Sequence, residues 1–354
     1  MQQKVRNSSR RTTLGDIAKR ANVSIAAVSI ILNGKHQQYH FSDDLVTKVK
    51  AIAVELDYAP NLLVKSMQQG HTKILTFYNT YRRRSHGDDY LDRVLTAFEM
   101  AGIRYGYDIL ISCIFSGSAD DTYRRLNGGY SDGVILYGPR ADEPLLPYLR
   151  SSRLPVVVAN RIDQEGVLSH VKDDLAGGMQ QVADRLYALG HRRVVAFTTS
   201  PRISQTAGER VGLLRAYLAE RGIPIPDSHV MQVNEGGGDG ISPEAALQSL
   251  MSEPAPPTAI FCWHDRLGYL VLDQCEQMGI NVPEHLSLIG YDGLRPPTQT
   301  RHMLASVTVD LDMLADASVS LLHQLIAGEV SAPVGCLFPV TFGDGTTLTA
   351  AATS

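Results

Sequence analysis

From Lys73 onward the chain alternates short apolar runs with amphipathic stretches, and this rhythm restricts the fold more than any other feature. Apolar runs fall at 74–78, 109–115, 134–136, 156–159, 194–198, 260–263, 288–290 and 307–309. Between them, segments such as 90–105, 179–189, 209–221 and 267–278 carry apolar residues at helical spacing. Strands that alternate with helices pair in parallel, because each return path crosses a face of the sheet and covers it. About 280 residues is large for one such sheet, so two similar lobes are expected. The pattern restarts at GHRRVVAFTT near residue 190, which places a lobe boundary there.

The first 70 residues follow another plan. LGDIAKRANVSIAAVSIIL, from Leu14 to Leu32, reads as two short helices with a tight break. Ile17, Ala18 and Ala21 share a face of the first, and Ile25 and Val28 begin an apolar face on the second. Thr13 with Asp16 three residues on matches a capping box, which satisfies free backbone N–H groups. Asn22 tolerates the left-handed conformation a tight turn needs, and Ser24 is placed to cap the second helix. Two helices this short need a third. One is predicted from Ser42 to about Asp57, where Val46, Val49, Ile52, Ala53 and Leu56 recur at helical spacing. The set fits a helix-turn-helix, whose second helix enters the DNA major groove, and equally an ordinary helical hairpin. Lys48 and Lys50 read either as a solvated face or as phosphate contacts. Pro60 stops the third helix, and Asn61 can cap a further short one ending before Gly70. That segment is too short to hold alone and would fold only against DNA or a second copy.

Charge supports the division. The net charge of −4 hides ten Lys/Arg against five Asp/Glu in residues 1–70, net +5, leaving about −9 for the rest. A basic head on an acidic body suits a protein whose head alone meets phosphates. The opening MQQKVRNSSRRTT is polar and basic, unlike a signal peptide, and no later run approaches the roughly 18 apolar residues of a spanning helix. No membrane partner is expected. Cys113, Cys262, Cys275 and Cys336 are scattered among apolar neighbours, which favours buried thiols over disulfides or a metal site and fits a cytoplasmic protein.

In open parallel sheets, ligands bind beyond the carboxyl ends of the strands. Asn79, Asp174, Arg210, Trp263, His264 and Asp292 fall at or near such ends, with Phe261 beside them. Carboxylates such as Asp174 and Asp292 accept hydrogen bonds from vicinal hydroxyls. Arg210 offers a planar donor fork, and Phe261 and Trp263 offer faces that stack on a sugar or a base. For any one of these residues a helix cap or a surface charge is the ordinary alternative. Arg82–Arg84 follow the first strand. They admit an anionic effector such as a sugar phosphate or sugar acid, and a solvated basic loop is the plainer reading. No GxGxxG, Walker loop, GxSxG or HExxH is present, and the histidines are dispersed, so neither catalysis, a cofactor nor a metal is expected.

Taken whole, the chain resembles the lactose repressor (LacI/GalR) family of bacterial transcription regulators. The residues that carry this are Thr13-Leu14-x-Asp16-Ile17-Ala18, Asn22-Val23-Ser24, Val28-Ser29-x-x-Leu32-Asn33-Gly34 and Leu56-x-Tyr58-x-Pro60-Asn61. Leu189–Arg193, Pro257–Phe261 and Ser287–Asp292 also match. The resemblance implies a homodimer on a pseudopalindromic operator in double-stranded DNA, with half-sites one turn (~34 Å) apart or a multiple. It also implies a small-molecule effector, a sugar or sugar derivative, between the lobes. Ile25, Ala26 and Ser29 would face the bases, with Thr13, Ser24 and Asn33 beside them. Asn61, Val64 and Met67 would belong to a hinge helix, Met67 taking the place of a minor-groove wedge. Arg210 and Asp292 would be the main effector contacts, then Asp174, His264 and Phe261, with Asn79 and Trp263.

The sequence departs from the family where Ile25, Ala26 and Ala27 offer no hydrogen-bonding side chain, so base readout would lean on thymine methyls and on the hinge. The expected organisation is a basic arm at 1–12, a helical head at 13–58, a hinge at 59–71 and an α/β body at 72–354. Its lobes would cover about 72–188 with 310–337, and about 189–309 with 338–354. A transport solute-binding protein would share the body but leave the head unexplained, and a sugar-modifying enzyme would need a catalytic constellation.

Overall fold

The computed structural model describes residues 11–61, 64, 66, 70–80, 89–113, 117–235, 240–297 and 300–352. The chain divides into two compact units after Thr72.

The first unit is built on α1 (Leu14–Ala21), α2 (Ile25–Leu32) and α3 (Asp43–Glu55). The capping box is formed: Thr13 N donates to Asp16 Oδ2 at 2.8 Å, and Asp16 N donates to Thr13 Oγ1 at 3.3 Å. Asn22 sits in the left-handed region at φ 57°, and Ser24 Oγ accepts from Ala27 N at 3.1 Å. Ile17, Ala18, Ala21, Val28, Ile31, Val46, Val49, Ile52 and Ala53 form the small core. Lys48 does not simply face solvent, because its Nζ donates to Ala21 O at 3.1 Å and so caps the end of α1.

The second unit, from Lys73, carries two six-stranded sheets. The first holds β1 (Ile74–Asn79), β2 (Asp108–Cys113), β3 (Gly133–Tyr137), β4 (Val156–Ala159), β5 (Ser169–Asp173) and β11 (Gly335–Phe338), in the order β11-β5-β4-β3-β1-β2, all parallel. The second holds β6 (Val194–Thr198), β7 (Val230–Gln232), β8 (Ala259–Cys262), β9 (Ser287–Asp292), β10 (Ala305–Thr308) and β12 (Thr341–Gly343). Its order is β12-β10-β9-β8-β6-β7, with β12 antiparallel to β10. The helices are α4 (Asp89–Tyr105), α5 (Ala119–Leu126), α6 (Leu146–Arg150), α7 (Leu175–Ala188), α8 (Gln205–Glu220), α9 (Pro243–Met251), α10 (Asp265–Gln277) and α11 (Leu311–Ala327). Alternate residues of each strand point to opposite faces. Leu75, Phe77, Ile135 and Tyr137 therefore meet α4 and α11, while Val134, Leu136, Val156 and Val158 form a separate core with α5 and α6. In the second sheet Ala259, Phe261, Ile289 and Tyr291 join the core that runs on from the first.

Two expectations need correction. The first lobe does not extend to residue 188. Helix α7 packs on α8, β10 and β12, Gln181 Nε2 donates to Val340 O at 3.3 Å, and Arg185 pairs with Asp344. The first crossing between lobes therefore falls at Asp174, one helix earlier than the restart of the pattern. Strands β5, β7, β11 and β12 were not foreseen: β5 alternates buried and half-buried residues around His170 and Lys172, and β11 is a sheet edge with Leu337 exposed.

Candidate functional site

Two strand ends of the second lobe, those of β8 and β9, converge on Arg210. It projects from α8, and its Nη2 donates to Asp292 Oδ1 at 3.0 Å. Its Nη1 donates to the Trp263 carbonyl at 2.6 Å, and its guanidinium lies over the Tyr291 ring at 3.6 Å. Arg210 and Asp292 are each 7% exposed. Burial works against the Arg210 charge, but Asp292, Tyr291 and Asp173 more than offset it and raise its pKa. Burial pushes the Asp292 carboxyl up, against the pull of Arg210 and His264. His264 caps α10 by accepting from Leu267 N on Nδ1 at 2.9 Å. That fixes Nε2 as the protonated nitrogen, which reaches Glu235 Oε1 at 2.8 Å. Arg210 Nε and Trp263 Nε1 are buried donors with no hydrogen-bond partner among the described residues. Buried donors of this kind are costly unless something accepts from them, so they are features a polar ligand would complete.

The first lobe supplies both neutral and charged groups to the same seam. Asn79 ends β1 beside Tyr137 of β3, and Tyr137 Oη meets Tyr90 Oη at 3.0 Å and accepts from Asn160 Nδ2 at 3.3 Å. Tyr291 Oη donates to Asp173 at the end of β5, a buried bond between the lobes. Nearer the surface, Arg161 Nη1 reaches Glu209 Oε1 at 2.8 Å and Lys172 Nζ lies 3.8 Å from Glu209 Oε2. Arg140 Nη1 donates to Pro201 O and Arg202 O at 3.2 and 3.1 Å.

Of the residues expected at this cleft, Arg210, Trp263, His264 and Asp292 come together, and Asn79 lies at the facing strand end. Two do not serve as expected. Phe261 is fully buried in the core beneath the sheet and presents no face to a ligand. Asp174 turns its carboxylate into the chain, where Oδ1 accepts from Gly177 N at 2.9 Å and caps α7. Arg82–Arg84 lie outside the described residues. The sequence reading passes over Tyr137 and Glu235, and it places Tyr291 and Asp173 on the strand-end rim without choosing them as effector contacts. Tyr291 and Asp173 stand next to residues it did select, and Glu235 opens a glycine-rich stretch that reads as a plain loop.

In the first unit, Ile25, Ala26, Ser24 and Asn33 are exposed along α2, and Ile25 keeps 57% of its surface open. Asn33 Nδ2 donates to Ser29 Oγ at 3.3 Å, and Thr13 is held in its capping box. Asn61 and Val64 are exposed, and Met67 lies outside the described residues. Residues 13–61 match the family model described as bacterial regulatory proteins, lacI family, and residues 183–344 match a periplasmic binding protein-like domain.

The chain joins a lacI-family DNA-binding region to a periplasmic binding protein-like domain.

It is similar to the HTH-type transcriptional repressor PurR of Shigella sonnei, 27% identical over 330 residues that cover 91% of this chain and 92% of the relative. The PurR repressor of an Escherichia coli strain gives the same identity and coverage. Among solved structures, the lac repressor dimer bound to operator and the anti-inducer ONPF superposes with a TM-score of 0.80 at 22% identity, covering 96% of this chain and all of that one. A transcriptional regulator CelR–cellobiose complex gives 0.68 at 24%, covering 95% and 100%. The chain is thus a transcription regulator rather than an enzyme, with a DNA-binding head and an effector-binding body.

Proposed function

We propose that this regulator is a repressor of carbohydrate-related genes, acting as a dimer on a pseudopalindromic operator and controlled by a sugar or sugar derivative held between its lobes. The observation that carries the reading is the buried Arg210–Asp292 pair beside Trp263 at the strand ends. A carboxylate that accepts and a guanidinium that donates suit neighbouring hydroxyls, and the indole suits the flat apolar face of a sugar ring. The similar CelR regulator forms a complex with cellobiose, which supports the sugar class. Asn79, Trp263, His264, Arg210 and Asp292 are the proposed effector contacts.

In the head, Ile25, Ala26 and Ser29 face the bases, flanked by Thr13, Ser24 and Asn33, while Asn61, Val64 and Met67 act in the hinge at 59–71. Exposed apolar side chains support the dimer: Met100 and Ile103 on α4 and Leu110 and Ile111 on edge strand β2. An effector that prefers one lobe arrangement by ~1–3 kcal/mol changes operator affinity about 5–150-fold. Trp263 is the only tryptophan in the chain, so its fluorescence reports on the cleft directly. Titrating cellobiose, lactose and gluconate into the full chain should give a saturable change with at least one of them. No response to any neutral or acidic sugar would overturn the effector class. Removal of residues 1–70 should abolish binding to promoter DNA and leave the sugar response intact.

A further inference from the structure

The turn that carries Asp292 is strained, and buried side chains hold it. Asp292 has φ 113° and Gly293 φ 66°. A positive φ is rare and costly for a residue with a Cβ, and it persists only where the surroundings over-determine it. Here they do. Leu294 N donates to Asp265 Oδ2 at 2.6 Å, and Gly293 N donates to Ser306 Oγ at 3.2 Å. Ser306 Oγ donates to Asp265 Oδ1 at 2.7 Å and ties the two anchors together. Tyr269 Oη donates to Leu294 O at 3.3 Å. Asp265 is fully buried and Ser306 is 5% exposed. The sheet leaves room for this carboxyl only because position 290 is glycine: a Cβ there would stand 2.1 Å from Asp265 Oδ1.

We propose that Asp265 and Ser306 are positioning residues for effector recognition, fixing the turn 292–294 so that the Asp292 carboxylate stays against Arg210. The inference rests on the reading of the cleft as the effector site. Without the two anchors, Asp292 relaxes to a negative φ and its carboxylate swings off the guanidinium.

The test uses four variants of the full chain: Ser306→Ala, Asp265→Ala, Asp265→Asn and Leu272→Ala. Crystal structures give the Asp292 backbone and the Arg210–Asp292 pair, and acrylamide quenching of Trp263 gives the same answer in solution. In Ser306→Ala and Asp265→Ala, Asp292 should return to negative φ, the pair should separate, and quenching should rise. Asp265→Asn should keep the wild-type turn, because its amide oxygen accepts from Leu294 N and its nitrogen donates to Ser306 Oγ. Leu272→Ala, a core truncation in the same lobe, should lose stability without altering turn or quenching. An unchanged turn and pair in both Ser306→Ala and Asp265→Ala would overturn the proposal. If Asp265→Ala does not fold, Ser306→Ala, which loses one hydroxyl, decides alone. Failure of every sugar to bind the wild-type chain would sink the effector reading and leave this structural readout standing, so the two failures are distinguishable.

Discussion

Asp163 in the first lobe and Asp265 in the second are both buried carboxyls, 3% and 0% exposed, yet their surroundings move them in opposite directions. Burial pushes both up. At Asp163 the Arg150 guanidinium and the N–H groups of Val167 and Leu168 more than offset it, and the pKa falls below the ordinary carboxylate value. At Asp265 burial and the nearby Asp292 charge outweigh the Ser306 and Leu294 hydrogen bonds, and the group is pushed up to about 8. The difference teaches where each lobe spends its buried charge. Asp163 is a paired staple that ties the loop after β4 to α6. Among the described residues Asp265 has hydrogen bonds but no ion-pair partner, and it stands behind the turn 292–294. Perturbed carboxyls of the second sort cluster at functional sites.

The sharpest way to break the comparison is to remove the cation from the first. Arg150→Ala strands a buried carboxylate and should destabilise the body by about 3–5 kcal/mol in urea unfolding. A loss near zero would mean Asp163 is no staple. Arg210→Ala applies the same cut in the second lobe. It should leave DNA binding in place and weaken the effector response about a hundredfold, measured by operator release. A normal response would remove Arg210 from the cleft.

pH separates the two groups by sign. Asp163, depressed when folded, contributes stability present above the unfolded value of about 3.9 and lost as pH falls through its lower folded pKa. Asp265, raised when folded, contributes stability fully present below about 4 and lost as pH rises towards about 8. The melting temperature should therefore fall on both limbs. Asp265→Asn should flatten only the limb between about pH 4 and 8, and an unaltered limb would deny Asp265 its role there. The smallest effect belongs to the surface of the seam. Glu209 is 41% exposed, so Glu209→Gln should cost under about 1 kcal/mol, and the cost should shrink as salt is added.

Much of this was legible in the sequence because it is local. Thr13, Asp16, Asn22 and Ser24 determine their own turns, and the capping geometry they imply is the one observed. Arg210 and Asp292 were legible because strand ends in a parallel sheet point to one rim. Phe261 was misjudged because β8 is buried on both faces and shows no alternation, so nothing in the sequence says that the strand ends at Cys262 and that Trp263 is the first residue clear of it. Asp173 and Asp174 are adjacent carboxylates with opposite fates, one bound to Tyr291 and one capping α7. Glu235, Glu209 and Asp265 owe their roles to partners distant in sequence, which only the fold brings near.

The return of the chain through α11 and β11 also governs the order in which the protein is made. The first lobe gains its helix at Leu311–Ala327 and its edge strand at Gly335–Phe338 only after the second sheet has been largely synthesised, and that sheet in turn waits for Thr341–Gly343. Neither half is finished on the ribosome until the final stretch emerges. A transcript that stops short of Leu311 leaves both halves with open apolar faces, which favours degradation over a partly active fragment.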